Sequence, residues 1–290
     1  MSGPQLFNIL PRKLPGPPKW PYRVNWGSPQ ANHLEAMYVG TPSGSEFFDL
    51  VRGRHAVHAN YNDTVQDDFG QLGYAYNASM SSDAGDFLDV ILGTTYTIRA
   101  ICRPNSVSTN TIVTSYRSTI ASAPIFWQLD HNNADVRIIV RQDTGGTVSA
   151  AATSGIPAAG TLMEFIGTRS GDNLEVFARN WKTGAVVSGT GSGTIGTITA
   201  NKLLIGGFVN ASETIAGQFN GDIYLVQVWS YVLPEGIRNS LWTHGSRHDL
   251  YWEKSQRTYI FPAHFPAVTA VAVGPPKHEG LMVNIGRFLK

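Results

Sequence analysis

Apolar and polar residues alternate along most of the chain between Trp26 and Trp252. This period of two predicts β-strands, each with one face turned to a core and the other to solvent. Turn-forming runs rich in glycine, aspartate and asparagine separate the strands, which recur at roughly 8–12 residue intervals, a spacing typical of a β-sandwich or barrel. The clearest predicted strands are 112–116, 136–141, 162–168 and 174–178.

Helical periodicity is scarce and is clearest from Pro234 to His244. Pro234 suits the first turn of a helix, and Leu233, Ile237 and Leu241 would share one face. The predicted fold class is therefore all-β, with a central domain at residues 26–252 that ends in one short helix.

The first 25 residues differ from the rest of the chain. Six prolines there interrupt regular helices and sheet ladders. A flexible linker would lack large apolar side chains, so we expect an extended arm that binds a neighbouring subunit through them; a disordered tail is the alternative. The apolar residues of the arm are Leu6, Phe7, Ile9, Leu10 and Trp20.

Residues 253–290 form a second segment outside the central domain. Prolines interrupt its pattern, and the chain ends with an apolar stripe that includes Ile285, Phe288 and Leu289. We expect this C-terminal extension to bind a neighbouring subunit or to complete a sheet edge there. Packing against the chain's own domain is the alternative.

Charge and cysteine content narrow the classes of function. Charged residues make up 15% of the chain and the net charge is +1, so no broad basic field is available for nucleic acid. Cys102 is the only cysteine, and its alternating context predicts a small buried side chain.

No secretion signal and no apolar run of membrane-spanning length is visible, which predicts synthesis in a cytosol and no membrane partner.

Two aspartate-rich loops raise the question of a metal site. Calcium takes six to eight oxygen ligands, often from such loops. However, neither loop has the D-x-D-x-D-G spacing of a calcium loop, and ordinary turns have the same composition. We expect no cofactor, with calcium as the alternative. The aspartates are Asp63, Asp67 and Asp68 in one loop and Asp83, Asp86 and Asp89 in the other.

Aromatic residues could offer stacking surfaces for sugars. Trp181 lies beside a turn and Trp229 near the end of a strand, so both are predicted to be exposed, and they are the candidate ligand-binding residues. The eight histidines are dispersed and are predicted to be surface or hydrogen-bonded residues. The glycine-rich run 189–196 lacks the lysine of a phosphate-binding loop and is predicted to be a flexible loop between strands.

Several segments, in order along the chain, resemble the laminin-G-like (concanavalin-A-like) jelly-roll family. Its closing pattern is an IGG strand, an F-x-G-x-I-x-x-V-x-V strand, and then a turn and helix. The resemblance implies a two-sheet antiparallel β-sandwich that binds or scaffolds. In place of the usual Asn-Gly turn stands Arg179-Asn180-Trp181, which predicts a longer hairpin. The similar segments are 82–90 (SDAGDFLDV), 94–104 (TTYTIRAICRP), 164–180, 203–208 (LLIGGF), 219–229 (FNGDIYLVQVW) and 231–237.

Catalytic carboxylates of the kind used by related jelly rolls are not found. Sugar cleavage on those folds uses an E-x-D-x-x-E strand that places acid and nucleophile on one face, and no such triplet occurs. Glu164 and Glu175 alternate with apolar residues, so both are predicted to face solvent. No G-x-S-x-G nucleophile motif occurs either. We therefore expect a protein that is not an enzyme.

Residues 24–38 (VNWGSPQANHLEAMY) resemble the opening of laminin-G-like proteins encoded by tailed bacteriophages. This resemblance implies a virion structural protein, either a capsid decoration (cement) protein or a tail- or fibre-associated component, assembled in the host cytoplasm. Its arms would adhere to major capsid or tail proteins, and by analogy it would be a homo-oligomer such as a trimer. The alternative is a lectin-like module of the virion that binds a host surface glycan, and a jelly-roll glycan hydrolase is the third hypothesis.

Overall fold

The computed structural model describes residues 22–42, 46–58, 63–77, 82–86, 92–106, 110–116, 126–132, 135–142, 146–153, 159–196, 198, 202–209, 215–243 and 249–253. All the paired strands in these residues are antiparallel, which confirms the predicted all-β sandwich. Within this part of the chain, no helix is both long and apolar enough to cross a membrane.

The strands and the helix are as follows: β1 (Tyr22–Val24), β2 (Leu34–Val39), β3 (Glu46–Asp49), β4 (Arg54–His58), β5 (Thr64–Gln66), β6 (Leu72–Tyr76), β7 (Ser82–Asp86), β8 (Thr95–Pro104), β9 (Asn110–Tyr116), β10 (Phe126–Asn132), β11 (Asp135–Arg141), β12 (Thr147–Thr153), β13 (Met163–Ser170), β14 (Asn173–Asn180), β15 (Val186–Ser192), β16 (Lys202–Ile205), β17 (Phe208–Val209), β18 (Ile215–Ala216), β19 (Gly221–Trp229), α1 (Glu235–Leu241) and β20 (Tyr251–Glu253).

One long ladder of strands supplies both layers of the sandwich. Its strand order is β12-β11-β10-β9-β16-β7-β4-β3-β2-β19-β8-β13-β14-β15, and β6 joins β5 to β19. The ladder folds back on itself, so that β11 and β12 pack over β13, β14 and β15. We call β12, β11, β10, β9 and β16 the front sheet, and β19, β8, β13, β14 and β15 the back sheet.

The main core lies between the two sheets. Alternate residues of each strand point into it, as Trp127 and Leu129 do from β10 and Val136, Ile138 and Val140 from β11. Burying such side chains stabilises the fold by about 1.5–3 kcal/mol each. Cys102 is fully buried in this core, as the sequence predicted, and burial raises the pKa of its thiol.

A second core covers the outer face of the back sheet. Helix α1, which confirms the predicted helix, and β1 pack there over the apolar residues of β2 and β19. Trp229 belongs to this second core and is fully buried, with its indole Nε1 donating to the carbonyl oxygen of Gln30 at 2.8 Å. The predicted exposure of Trp229 was therefore wrong, because a layer of chain that the sequence pattern did not reveal covers the end of its strand.

Strands β1 and β20 form a separate two-stranded ladder, in which Tyr22 is paired with Glu253 and Val24 with Tyr251. Val24 and Tyr251 are both buried in the second core. Residues 22–24 thus belong to the folded unit although the arm was expected to extend to residue 25. Tyr22 and Glu253, which are paired at one end of this ladder, are the first and the last residue that the structure describes.

The apolar residues predicted to contact other subunits lie outside the described residues. They are Leu6, Phe7, Ile9, Leu10 and Trp20 of the arm and Ile285, Phe288 and Leu289 of the C-terminal extension. Their role stays a prediction.

The free edges of the two sheets meet along β12 and β15. In the described part of the chain, β12 is hydrogen-bonded only to β11 and β15 only to β14. A methyl group added at Gly189 would overlap the carbonyl of Ala151, and one at Gly191 would overlap the carbonyl of Ser149. The glycine-rich run was predicted to be a loop. In the structure, its first part is strand β15, and glycine is needed because the two backbones approach so closely.

Candidate functional site

Glu164 was predicted to face solvent, but it is fully buried on the outer face of the back sheet. Its Oε1 accepts a hydrogen bond from Arg99 Nε at 2.6 Å, and its Oε2 accepts one from Trp181 Nε1 at 3.2 Å. Arg99 also donates to the amide oxygen of Gln227 at 2.7 Å. The prediction failed because the second core covers this face, so polar residues on it are sealed from water. Glu175, the other predicted carboxylate, is partly exposed.

Trp181 was predicted to be an exposed stacking residue, and only 9% of it is exposed. Besides its bond to Glu164, the indole packs edge-on against Phe69 at 5.3 Å between ring centroids, and the guanidinium of Arg179 lies 4.6 Å from its ring centre. The predicted exposure was wrong, because the longer hairpin between β14 and β15 folds the indole into the second core. Sugar stacking on Trp181 or Trp229 has no support from these positions.

That hairpin loop spans residues 181–185, which confirms that it is longer than a two-residue turn. Asn180 Oδ1 accepts hydrogen bonds from the backbone N–H groups of Lys182 and Thr183 at 2.9 and 3.1 Å. Gly184 follows with a φ of +73°. An asparagine that caps its own turn replaces the Asn-Gly pair of the family pattern.

Two of the aspartates considered for calcium, Asp67 and Asp68, have side-chain partners in the described part of the chain. Asp67 Oδ1 accepts hydrogen bonds from the backbone N–H groups of Phe69 and Gln71, which shapes the turn between β5 and β6. Asp68 pairs with Arg103 at 2.6 Å. Among the described residues, no group of three or more histidine, cysteine, aspartate or glutamate side chains could hold a metal ion. Asp89 lies outside the described residues.

A cluster of polar side chains lies on the outer face of the front sheet. Trp127 and Leu129 of β10 point into the main core, so Gln128 and Asp130 point outward. The register pairs Asp130 with Arg137 of β11, which points outward between the core residues Val136 and Ile138. We call Gln128, Asp130 and Arg137 the front-face cluster.

Asp130 is held by three hydrogen bonds. Arg137 donates to it through Nε and Nη2, both at 2.9 Å, and Gln128 donates through Nε2 at 2.6 Å. Asp130 is fully buried although it lies on an outer face. Burial raises the pKa of Asp130, and the hydrogen bonds from Arg137 and Gln128 oppose that rise. The hydrogen bonds to Asp130 in turn raise the pKa of Arg137.

Two polar groups of the front-face cluster have no hydrogen-bond partner among the described residues, and Gln128 as a whole is 6% exposed. The amide oxygen of Gln128 and Nη1 of Arg137 make no hydrogen bond in the described structure. The side chain of Arg137 is 26% exposed. Because Asp130 fixes the orientation of both neighbours, the cluster presents one acceptor and one donor in a set geometry. Such preorganised groups bind a ligand without a large loss of side-chain entropy.

The register places two further rows of side chains beside the front-face cluster. Gln128 lies between Thr114 of β9 and Ile139 of β11. In the next row, Tyr116 of β9 and Arg141 of β11 are both paired with the backbone of residue 126. The face therefore carries apolar and aromatic residues next to the polar cluster, as ligand-binding faces commonly do.

His131 departs from the prediction that the histidines are exposed or hydrogen-bonded. It is fully buried in the main core, with ring centroids 5.9 Å from Phe219 and 6.5 Å from Phe165. Neither ring nitrogen has a hydrogen-bond partner. Burial lowers the pKa of His131 from 6.5 to about 4, so the ring is neutral in the folded protein at neutral pH.

We expect stability to fall as the pH is lowered from 6.5 towards 4, the two pKa values of His131. In this range the unfolded chain takes up a proton at His131 that the folded protein does not, so acid favours unfolding. The loss from this residue should reach about 2 kcal/mol at pH 5. Urea denaturation at pH 7.5 and pH 5 would measure it. His131→Leu should lose this part of the pH dependence, and an unchanged dependence in that variant would contradict the assignment.

Comparison with known proteins supports the architecture. No protein-family model and no curated protein matches the sequence. The receptor-binding domain of botulinum neurotoxin mosaic serotype C/D matches with a TM-score of 0.52 and 10% identity, over 73% of this chain and 50% of that one. Trypanosoma rangeli sialidase, in complex with sialic acid, matches with a TM-score of 0.51 and 13% identity, over 73% of this chain and 33% of that one. The fold is a jelly-roll β-sandwich.

A shorter solved structure also matches. The CBM40 module of the Ruminococcus gnavus IT-sialidase, bound to α2,3-sialyllactose, gives a TM-score of 0.45 and 16% identity, over 63% of this chain and 97% of that one. By contrast, this chain spans half of the neurotoxin domain and a third of the trypanosomal sialidase. At identities of 10% and 13%, the neurotoxin domain and the trypanosomal sialidase share their fold with this chain.

The front-face cluster was missed in the sequence, although a signal for it was present. Residues 126–141 read FWQLDHNNADVRIIVR, two alternating runs on either side of Asn133-Ala134. If the two runs are paired as a hairpin centred on that dipeptide, Asp130 lies opposite Arg137 and Gln128 opposite Ile139, as the structure shows. The opposite charges at paired positions could have identified the pair.

Proposed function

We propose that this chain is a non-enzymatic glycan-binding module that acts through the front-face cluster. The proposal rests on one observation: a fully buried carboxylate, Asp130, orients Gln128 and Arg137 on a sheet face that lies outside both cores. Burial of an ion pair is costly and does not by itself stabilise a fold. An oriented pair with unused hydrogen-bonding groups on an outer face is therefore better explained by ligand binding.

The unused groups suit sugar hydroxyls. A hydroxyl group donates one hydrogen bond and accepts others, so neighbouring hydroxyls of a sugar can bind the amide oxygen of Gln128 and Nη1 of Arg137 together. Ile139, which lies beside Gln128 in the register, offers an apolar contact for the C–H groups of the ring. Asp130 already accepts hydrogen bonds from both neighbours, so we assign it a positioning role and no catalytic one.

A screen of the whole chain against a panel of oligosaccharides tests this function, with Gln128→Met as the diagnostic variant. Methionine keeps the approximate size of the side chain and leaves both bonds from Arg137 to Asp130 in place. We expect affinity for a bound glycan to fall about tenfold or more, because a ligand hydroxyl loses its partner.

The matched control is Gln66→Met, which removes an amide from the exposed strand β5, where its Nε2 donates to Gly70. This variant should bind as the unchanged protein does. Denaturation curves of both variants would establish that they are folded. If no oligosaccharide binds, or if both variants bind equally well, the front face is not a glycan site.

A second candidate function is adhesion within a virion, as a capsid decoration protein or a tail- or fibre-associated component. The observation in its favour is the β1–β20 ladder, in which Tyr22 and Glu253, the first and the last described residue, are paired. On this proposal the protein is assembled in the host cytoplasm, and the apolar residues of the N-terminal arm and the C-terminal extension bind major capsid or tail proteins. The glycan panel separates the two functions, because a purely adhesive protein binds no sugar, whereas imaging of intact particles would locate an adhesive one.

A further inference from the structure

Arg141 is a second guanidinium on the front face, and it has a different environment from Arg137. It ends β11 and points outward, on the same side as Arg137 and Ile139, because Ile138 and Val140 point into the main core. Arg137 is neutralised by Asp130 at 2.9 Å. In the described structure, no carboxylate lies within ion-pair distance of Arg141.

The side chain of Arg141 is also incompletely bonded. It is partly buried, and its Nε is sealed from solvent without a hydrogen-bond partner. Its cross-strand neighbours, Phe126 and Thr147, carry no charge. A partly desolvated positive charge beside neutral residues attracts an anion more strongly than a fully hydrated one, because the local dielectric is lower.

The spacing of the two arginines indicates the size of the ligand. Strands rise about 3.3 Å per residue, so the Cα atoms of Arg137 and Arg141 are about 13 Å apart along β11. One sugar ring at the front-face cluster does not extend that far, whereas a short oligosaccharide does. Ile139 lies between the two arginines, and Tyr116 lies across Phe126 from Arg141.

We propose that Arg141 makes the front face selective for anionic oligosaccharides, with a carboxylate or sulfate group on a sugar next to the one bound at Gln128 and Arg137. This inference rests on the proposed glycan-binding function and adds the class of glycan. A guanidinium binds either oxyanion through charge-assisted hydrogen bonds, which are roughly twice as strong as neutral ones.

The test measures binding of the whole chain to matched oligosaccharides that differ only in one group: neutral, carboxylated or sulfated. We expect at least one anionic form to bind about tenfold more tightly than the neutral form, with the preference weakening as salt is added. Arg141→Gln should bind the anionic and neutral forms about equally well, and its affinity for the neutral form should be unchanged. Arg141→Lys should retain part of it.

Lys182→Gln is the control for general charge, because Lys182 is exposed on the hairpin of the back sheet. It removes the same charge and should leave the preference intact. Equal binding of neutral and anionic forms, or an equal loss of preference in Arg141→Gln and Lys182→Gln, would overturn the role of Arg141 while leaving glycan binding standing. Failure to bind any form would overturn both proposals.

Discussion

Replacing Glu164 by glutamine should destabilise the protein by about 3–5 kcal/mol. The change keeps the size of the side chain but removes its charge, and it leaves the guanidinium of Arg99 buried without a counter-ion. Arg99 and Glu164 are only 1% and 0% exposed, so water cannot replace the lost partner. Equilibrium denaturation by urea would measure the loss as a fall in the free energy of unfolding.

A double replacement distinguishes the loss of charge balance from the loss of packing. Arg99→Met combined with Glu164→Leu removes both charges and fills the space with apolar groups, so it should recover much of the stability lost in Glu164→Gln. The Arg52–Glu35 pair, at 3.2 Å and with side chains 16% and 32% exposed, is the control, because Glu35→Gln there should cost no more than about 1 kcal/mol when water can reach both partners. A similarly small cost for Glu164→Gln would show that loss of the buried counter-ion of Arg99 does not destabilise the fold.

Gly189→Ala should also have a large effect, about 3 kcal/mol or more of destabilisation. The new methyl group would overlap the carbonyl of Ala151, which belongs to the backbone of β12 and cannot rotate away. The free edges of the two sheets would have to separate. Thermal and chemical denaturation would both measure the change.

Gly193→Ala is the matched control in the same glycine-rich run. An added methyl group there meets the side chain of Val148 at 3.1 Å, and that side chain can shift. We expect this variant to lose less than about 1 kcal/mol. Equal costs at positions 189 and 193 would mean that Gly189 is not required for the close approach of β15 to β12.

The sequence predicted the fold well where a local pattern carries the information. Period-two alternation identified β9, β11, β13 and β14, and the proline-led periodicity identified α1. The order of family-like segments predicted the jelly roll. Each of these features depends on residues that are close in sequence, so no knowledge of distant contacts was required.

The failures all concern contacts between distant parts of the chain. Alternation shows which strand face is polar, but not whether another layer covers that face, and so Glu164 was placed in solvent. The same second core buries Trp181 and Trp229. Glycine-rich runs most often form loops, and the function of Gly189 in a strand becomes apparent only when β12 is seen against it.

The front-face cluster depends on the pairing of two adjacent strands. Such pairing is less local than a strand pattern but more local than the packing of distant layers. Its residues are near in sequence, and a hairpin register would have brought Asp130 opposite Arg137. The burial of Asp130 could not have been predicted, because it depends on how the rest of the front sheet is assembled.

The β1–β20 ladder and the front-face cluster lie on opposite sides of the sandwich. The residues of the ladder pack on the outside of the back sheet, whereas Gln128 and Arg137 lie on the outside of the front sheet. If the two proposed functions were combined in one protein, contacts made beside the ladder and contacts made at the front-face cluster would lie on opposite faces of the sandwich and would not compete for space.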